Sequence, residues 1–94
     1  MNKLTNTNNV NNFSSESLEW KQVQNEMKNK LGLEVYESWL KKITFVEEFN
    51  NYLLLSVPTR FIRDWITSRY LDQILQIIKV YKKDIIRIEF KIAE

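Results

Sequence analysis

The chain has no cysteine and no histidine among its 94 residues, and it has one glycine and one proline. Without cysteine it cannot form disulfides or use a thiol nucleophile, and without histidine it lacks the imidazole base and the commonest zinc ligand. A single glycine cannot build the glycine-rich turn that cradles a phosphate, which excludes a P-loop and a dinucleotide fingerprint. We therefore expect no cofactor and no metal site.

Carboxylates are the remaining acid–base groups, and the sequence does not pair them convincingly. Glu47 and Glu48 are adjacent on a predicted strand, so their side chains should point to opposite faces of the sheet. Asp64 and Asp72 are about two turns apart on a predicted helix surface, where solvated charges are ordinary. We therefore predict that this chain is not an enzyme.

Long apolar runs are also missing, since no stretch approaches the roughly 20 residues that a membrane-spanning helix needs. Hydrophobic residues make up 44% of the chain and charged residues 28%, which is ordinary for one small globular domain. The N-terminus lacks the residue order of a signal or transit peptide. These features predict a cytoplasmic, soluble protein with no membrane partner.

The chain has no large excess of positive or negative charge, because its net charge is only +2. This value is too small to mark a dedicated nucleic-acid-binding protein. The C-terminal part is nevertheless mildly basic, and its cations are Arg60, Arg63, Arg69, Lys79, Lys82, Lys83, Arg87 and Lys91. The pattern fits either a solvated basic face or weak binding of single-stranded nucleic acid through Arg60, Arg63, Lys82 and Lys83.

Asparagine dominates the start of the chain, and little there is apolar. We predict that residues 1–13 are a disordered leader and that residues 14–94 form a single interaction domain. Ser14 can cap a first helix, with Phe13 and Leu18 as a hydrophobic staple. This helix should run to Leu31.

The first helix carries one apolar stripe, formed by Trp20, Val23, Met27 and Leu31. Gly32 follows at the place where a helix end needs a left-handed residue. A second helix over 33–43 should then bury Tyr36, Trp39, Leu40 and Ile43.

Two β-rich runs, 44–49 and 52–57, flank the turn residues Asn50 and Asn51, and the second should bury Leu53, Leu55 and Val57. Pro58 ends that strand, and a helix is predicted over 59–82. Its apolar residues occupy more than one face, so it should either bend or face a partner. Alternation of Ile86, Ile88, Phe90 and Ile92 with charged residues then predicts a last strand.

The predicted order is α-α-β-β-α-β. It indicates an α+β domain of KH-like form, with a three-stranded sheet and helices packed on one side. The long helix would serve as the crossover between the second and third strands. One departure matters for nucleic acid, because KH modules clamp the backbone with a Gly-x-x-Gly loop and Gly32 is the only glycine.

Phe61 is the strongest candidate for a binding residue. It lies off the main stripe of its helix, next to Arg60 and one turn before Trp65. An aromatic beside an arginine is typical of a protein–protein hot spot. The pattern alone leaves interface and core open for Phe61, and for Trp20 it leaves core and contact with a second copy open.

From Leu18 to Lys82 the chain resembles the N-terminal domain of the DnaA family of bacterial replication initiators. The resemblance rests on Trp20, on Tyr36-x-x-Trp39-Leu40, on Leu53-x-Leu55, and on the run from Val57 through Pro58-Thr59-Arg60-Phe61 to Trp65-Ile66, followed by Tyr70-Leu71. Members of that family have a KH-like fold, bind the replicative helicase and regulatory adaptor proteins, self-associate, and touch single-stranded origin DNA weakly. The domain has no catalysis of its own.

The resemblance implies a role for several residues. Phe61 and the start of the second helix, at Glu34 and Val35, would contact helicase or adaptor proteins, together with Arg60 beside Phe61. Trp20 would lie at the self-association surface. The family's ATPase and double-strand origin-binding domains are not in this sequence, so the resemblance implies a part of a longer initiator.

Two alternatives to this function stay open. One is a weak single-stranded DNA-binding module of KH-like form, with Arg63, Lys82 and Lys83 as its contacts. The other is a stand-alone replication adaptor.

Overall fold

The computed structural model describes residues 18–93, which form an α+β fold. The strand β2 (Tyr52–Val57) lies at the centre of a three-stranded sheet, antiparallel to β1 (Thr44–Glu48) and parallel to β3 (Arg87–Ile92). The predicted fold class and element order are therefore confirmed. The elements are α1 (Trp20–Leu31), α2 (Leu33–Ser38), a 3-10 turn (Leu40–Lys42), β1 (Thr44–Glu48), β2 (Tyr52–Val57), α3 (Arg60–Arg69), α4 (Leu71–Tyr81) and β3 (Arg87–Ile92).

One face of the sheet packs into the hydrophobic core, and the strand register shows which residues lie on that face. Leu53, Leu55 and Val57 of β2 are buried, as their alternation predicts. They lie directly opposite Ile88, Phe90 and Ile92 of β3. The buried residues that complete the core come largely from the helices, and they are Val23, Met27, Tyr36, Leu40, Ile66, Ile74, Ile77 and Ile78.

The crossover between β2 and β3 is helical from Arg60 to Tyr81, and the predicted helix over 59–82 is divided into two at Tyr70. Thr59 caps α3, since its hydroxyl oxygen accepts from the Ile62 N–H at 3.1 Å. The chain breaks at Tyr70, whose φ of −127° and ψ of −5° end α3 and begin α4. This break is the bend that the two apolar faces required, because each short helix can now turn its own face to the core.

The chain enters the fold before α1 in a non-helical segment. Leu18 and Glu19 precede the helix, so the predicted helical position of Leu18 is wrong. The Leu18 N–H donates to Glu48 Oε1 at 2.8 Å, and Lys82 Nζ lies 2.7 Å from Glu48 Oε2. The bond between Leu18 and Glu48 holds Leu18 against the end of β1. Phe13, Ser14 and the predicted leader lie outside the described residues.

Two further boundaries differ from the sequence prediction. The second helix ends at Ser38 and gives way to the 3-10 turn, although Tyr36, Leu40 and Ile43 are buried as expected. Ile86 is 55% exposed, and the adjacent Ile85 is fully buried in its place. Ile85 precedes β3, so strand alternation does not govern it. Within residues 18–93 no helix is both long enough and apolar enough to cross a membrane.

Gly32 should be the most sensitive turn residue. It has φ +97° and ψ 150°, a conformation that side chains rarely adopt, and a methyl group there would meet no atom within 4 Å. We therefore expect Gly32→Ala to lower the free energy of unfolding by about 1–3 kcal/mol through backbone strain alone. Chemical denaturation of this variant beside Asn29→Ala, an exposed position on α1, measures the effect. Equal stability of the two variants would contradict it.

Candidate functional site

Three aromatic rings form a cluster where α3 meets the segment after α2. Trp39 and Trp65 stack with ring centres 4.6 Å apart and planes 14° apart. Phe61 completes the cluster, with its ring 6.1 Å from Trp39 and 6.0 Å from Trp65. Phe61 and Trp65 are one helical turn apart on α3, so the helix places both on one side. We call Trp39, Phe61 and Trp65 the aromatic cluster.

Phe61 is the outermost member of the aromatic cluster, and it is 65% exposed. Phe61 is therefore not a core residue, which removes one of the two possibilities that the sequence left open, and its contact with a partner stays a prediction. Trp39, which the pattern assigned to the core, is only half-buried and packs against the core from its edge. What distinguishes Phe61 from the other exposed apolar residues of the described structure is its contact with two tryptophan rings.

Two arginines of α3, Arg60 and Arg69, adjoin members of the aromatic cluster. The Arg69 guanidinium lies over Trp65, 3.9 Å from the ring centre. Arg60 is exposed beside Phe61, and Arg63 Nε pairs with Asp64 Oδ1 at 3.1 Å. Sequence reasoning did not select Arg69, although the four-residue spacing of Phe61, Trp65 and Arg69 on one helix was the available signal.

Two indole N–H groups in the described structure are buried without an acceptor, on Trp20 and Trp65. An unpaired buried donor costs about 1–3 kcal/mol of stability. Neither indole ring is therefore held in position by a hydrogen bond from its N–H group. Trp20 instead packs against Phe45 of β1, with ring centres 5.7 Å apart, and is half-buried at the edge of the core.

The start of α2 presents the other candidate contacts. Glu34 is exposed and Val35 is half-buried, and the Trp39 N–H donates to the Val35 carbonyl at 2.9 Å. Val35 therefore lies one turn from the aromatic cluster. Tyr36 points inward, and burial raises the pKa of its hydroxyl.

Glu37 is the acidic residue of α2 that already has a partner. Lys41 Nζ donates to Glu37 Oε1 at 2.9 Å, and this hydrogen bond lowers the pKa of the Glu37 carboxyl. The pair is exposed, so it adds little to stability. Glu34 has no ion pair among the described residues, which makes it the acidic side chain of α2 that is available to a partner.

The structure does not gather the basic residues proposed for single-stranded DNA. Arg63 follows the end of β2, whereas Lys82 pairs with Glu48, which lies opposite Leu53 near the start of β2. Lys83 is exposed beside Lys82. Within residues 18–93 no group of three or more acidic residues could hold a metal ion.

Comparison with known proteins identifies the fold that carries this cluster. The family model described as the DnaA N-terminal domain matches residues 18–80, which include the aromatic cluster and Arg69. The chain is 40% identical over 78 residues to the chromosomal replication initiator protein DnaA of Wolbachia sp. subsp. Brugia malayi (strain TRS), which covers 83% of this chain and 17% of that protein. It is also 40% identical over 70 residues to the same protein of Rickettsia massiliae (strain Mtu5), covering 74% of this chain and 15% of the relative.

The chain thus spans about a sixth of the length of the curated relatives it matches. The match of the family model extends from Leu18 through most of α4 and ends before β3. The chain belongs to the DnaA N-terminal domain family of replication initiator proteins.

Proposed function

We propose that this domain is the protein-interaction module of a DnaA initiator, which recruits the replicative helicase and adaptor proteins to the origin and helps initiator copies assemble. The observation that supports it is the exposure of Phe61 on a stacked pair of tryptophans. An exposed aromatic with fixed neighbours loses little conformational entropy when a partner covers it. Such a ring is suited to bind protein.

In this proposal the contact surface consists of Phe61 and Arg60 on α3 and of Glu34 and Val35 on α2. The hydrogen bond between Trp39 and Val35 links the two helices' contributions, since Trp39 is also packed against Phe61. A patch of this size supports weak binding, and many linked copies at an origin would raise the overall affinity.

Self-association is assigned to Trp20, which is half-buried against Phe45 on β1. Because β1 is an edge strand of the sheet, a second copy could cover this ring without entering the core. The domain would act in the cytoplasm and would contribute no catalysis, which in this family belongs to a different part of the initiator.

An NMR titration of the isotope-labelled domain with the replicative helicase of the same organism tests the proposal. We expect shifts centred on Phe61 and the start of α2, with a shallow dependence on salt, because the contact is mostly apolar. A parallel titration uses single-stranded DNA. Absence of a helicase response, with steeply salt-dependent shifts at Arg63, Lys82 and Lys83 on adding DNA, would replace the proposal by the nucleic-acid module.

A further inference from the structure

We propose that Arg69 binds a carboxylate of the protein partner that covers the aromatic cluster, so that the partner's surface is an apolar pocket with an acidic rim. The inference rests on the proposed protein-binding function. It adds the chemistry of the partner and a specificity residue, Arg69, on the second turn of α3 beyond Phe61.

The geometry around Trp65 fixes the position of Arg69. The Arg69 guanidinium carbon is 3.9 Å from the centre of the Trp65 ring, and the Trp39 ring centre is 4.6 Å from it. Two groups of this size cannot share one ring face at these distances. Trp39 and Arg69 therefore lie on opposite faces of Trp65.

Stacking leaves the hydrogen-bonding capacity of Arg69 intact. A guanidinium that packs flat on a ring uses its face, and its N–H donors still point outward in its plane. Among residues 18–93 no carboxylate pairs with Arg69, whereas Arg63 and Arg87 each have one. Arg69 is also exposed. The Arg69 guanidinium is therefore held in place by Trp65 and has no carboxylate partner among the described residues.

A carboxylate fits this site better than a nucleic acid does. Bases bind such surfaces by stacking on exposed aromatic faces, but Trp65, the ring beside Arg69, already has Arg69 and Trp39 against it. The exposed ring of the aromatic cluster is Phe61, which lies about two helical turns from Arg69. Of the other cations suggested for DNA, Lys82 is paired with Glu48 near the start of β2, so it does not join Arg60 and Arg63 of α3 in one basic surface. A carboxylate needs only the in-plane donors of Arg69, which it can accept in a bidentate pair.

Arg87 offers a matched control within the same domain. Its guanidinium also lies over an aromatic ring, 4.2 Å from the centre of Tyr52, but it already pairs with Glu89 at 3.0 Å. Arg69→Gln and Arg87→Gln thus remove the same charge and the same kind of stacking. They differ in whether the arginine is available to a partner.

The first test measures helicase binding by calorimetry for the wild type, Phe61→Ala, Arg69→Gln and Arg87→Gln, after each variant is shown to be folded by its amide NMR spectrum. We expect Arg69→Gln to weaken binding by about 10- to 100-fold, as loss of a charge-assisted hydrogen bond should. Arg87→Gln should bind within about twofold of the wild type, since its pair with Glu89 is exposed.

The second test identifies the partner's carboxylate directly. Arg69→Lys places an amine at this position, and a water-soluble carbodiimide activates carboxylates on the helicase. The amine then forms an amide bond with the activated carboxylate and releases the urea. Mass spectrometry should find position 69 joined to an aspartate or glutamate of the helicase, and Arg87→Lys treated in the same way should give no such product.

The outcomes separate the inference from the function on which it rests. Binding that is weakened by Phe61→Ala but unchanged by Arg69→Gln, with no crosslink at position 69, overturns the inference and leaves the proposed function standing. No helicase binding by the wild type, or none lost in Phe61→Ala, overturns both. Loss of oligo-dT binding in Arg69→Gln with helicase binding unchanged would make Arg69 a phosphate contact and overturn the inference.

Discussion

Phe61→Ala should weaken binding to the replicative helicase by at least about 30-fold, which corresponds to the roughly 2 kcal/mol that defines a hot spot. The ring is 65% exposed in the free domain, so most of the area it can bury is still available to a partner. Contact with Trp39 and Trp65 holds the ring in place before binding. The variant loses the apolar anchor and the preorganisation together.

The same substitution should leave the domain folded. Two tilted ring contacts, with Trp39 and Trp65, hold the mostly exposed Phe61 ring, and each is worth about 0.5–1.5 kcal/mol. We expect a loss of about 1 kcal/mol in the free energy of unfolding, with a cooperative transition retained. Calorimetry of binding and chemical denaturation of the same sample separate the two effects.

Val80→Ala is the matched control, because Val80 is 79% exposed on α4 and lies outside the aromatic cluster. It should change neither stability nor helicase affinity by more than about 0.5 kcal/mol. If Phe61→Ala loses its cooperative transition, or if Val80→Ala weakens binding as much, Phe61 has no special part in recognition.

The sheet could be predicted well from the sequence, because the alternation of apolar and polar residues along a strand indicates which face is buried. Leu53, Leu55 and Val57 face the core, and the last strand aligns with them in register. The prediction failed at Ile86, since the residues between α4 and β3 form a turn to which a period of two does not apply. There the chain buries Ile85.

Helix boundaries were harder because long-range contacts decide them. No local feature of the sequence at Tyr70 predicts the break between α3 and α4. Apolar residues on two faces of the predicted helix indicated a bend, but they did not show at which residue it occurs. Leu18 likewise fits a helical pattern, yet its N–H bonds to Glu48, thirty residues away. Tertiary contacts of this kind override local propensity.

The candidate site was only partly visible for the same reason. Phe61 and Trp65 are four residues apart, so their proximity could be read directly from the sequence. Trp39 comes from the segment after α2, and its stacking on Trp65 depends on tertiary packing. Lys82 shows the opposite case. Its position beside Lys83 suggested an exposed cation, but the fold pairs it with Glu48.

Ile66→Ala should have the largest effect on stability of the changes considered for α3. Ile66 follows Phe61 by five residues, which places it about 140° around the helix, on the side opposite to the exposed ring. It is fully buried. Removing a buried isoleucine to alanine costs about 2–5 kcal/mol, through lost apolar burial and the cavity that remains.

That loss is a large share of the total, since a domain of this length has a free energy of unfolding of roughly 5–14 kcal/mol. Chemical denaturation at low temperature should show an earlier midpoint with an unchanged slope. Ile66→Val, which removes one methylene from the same site, should cost only about 0.5–1.5 kcal/mol. A loss in Ile66→Ala no larger than in Ile66→Val would mean that α3 does not rest on the core through this residue.

Helicase binding by Ile66→Ala separates support of the site from contact with the partner. Ile66 holds α3 on the core and touches no partner in the proposed function, so the folded fraction should bind as the wild type does. The apparent affinity should fall only in proportion to the unfolded fraction measured by denaturation. Phe61→Ala should show the reverse, with little unfolding and a large loss of affinity, because the two side chains of one helix face the partner and the core.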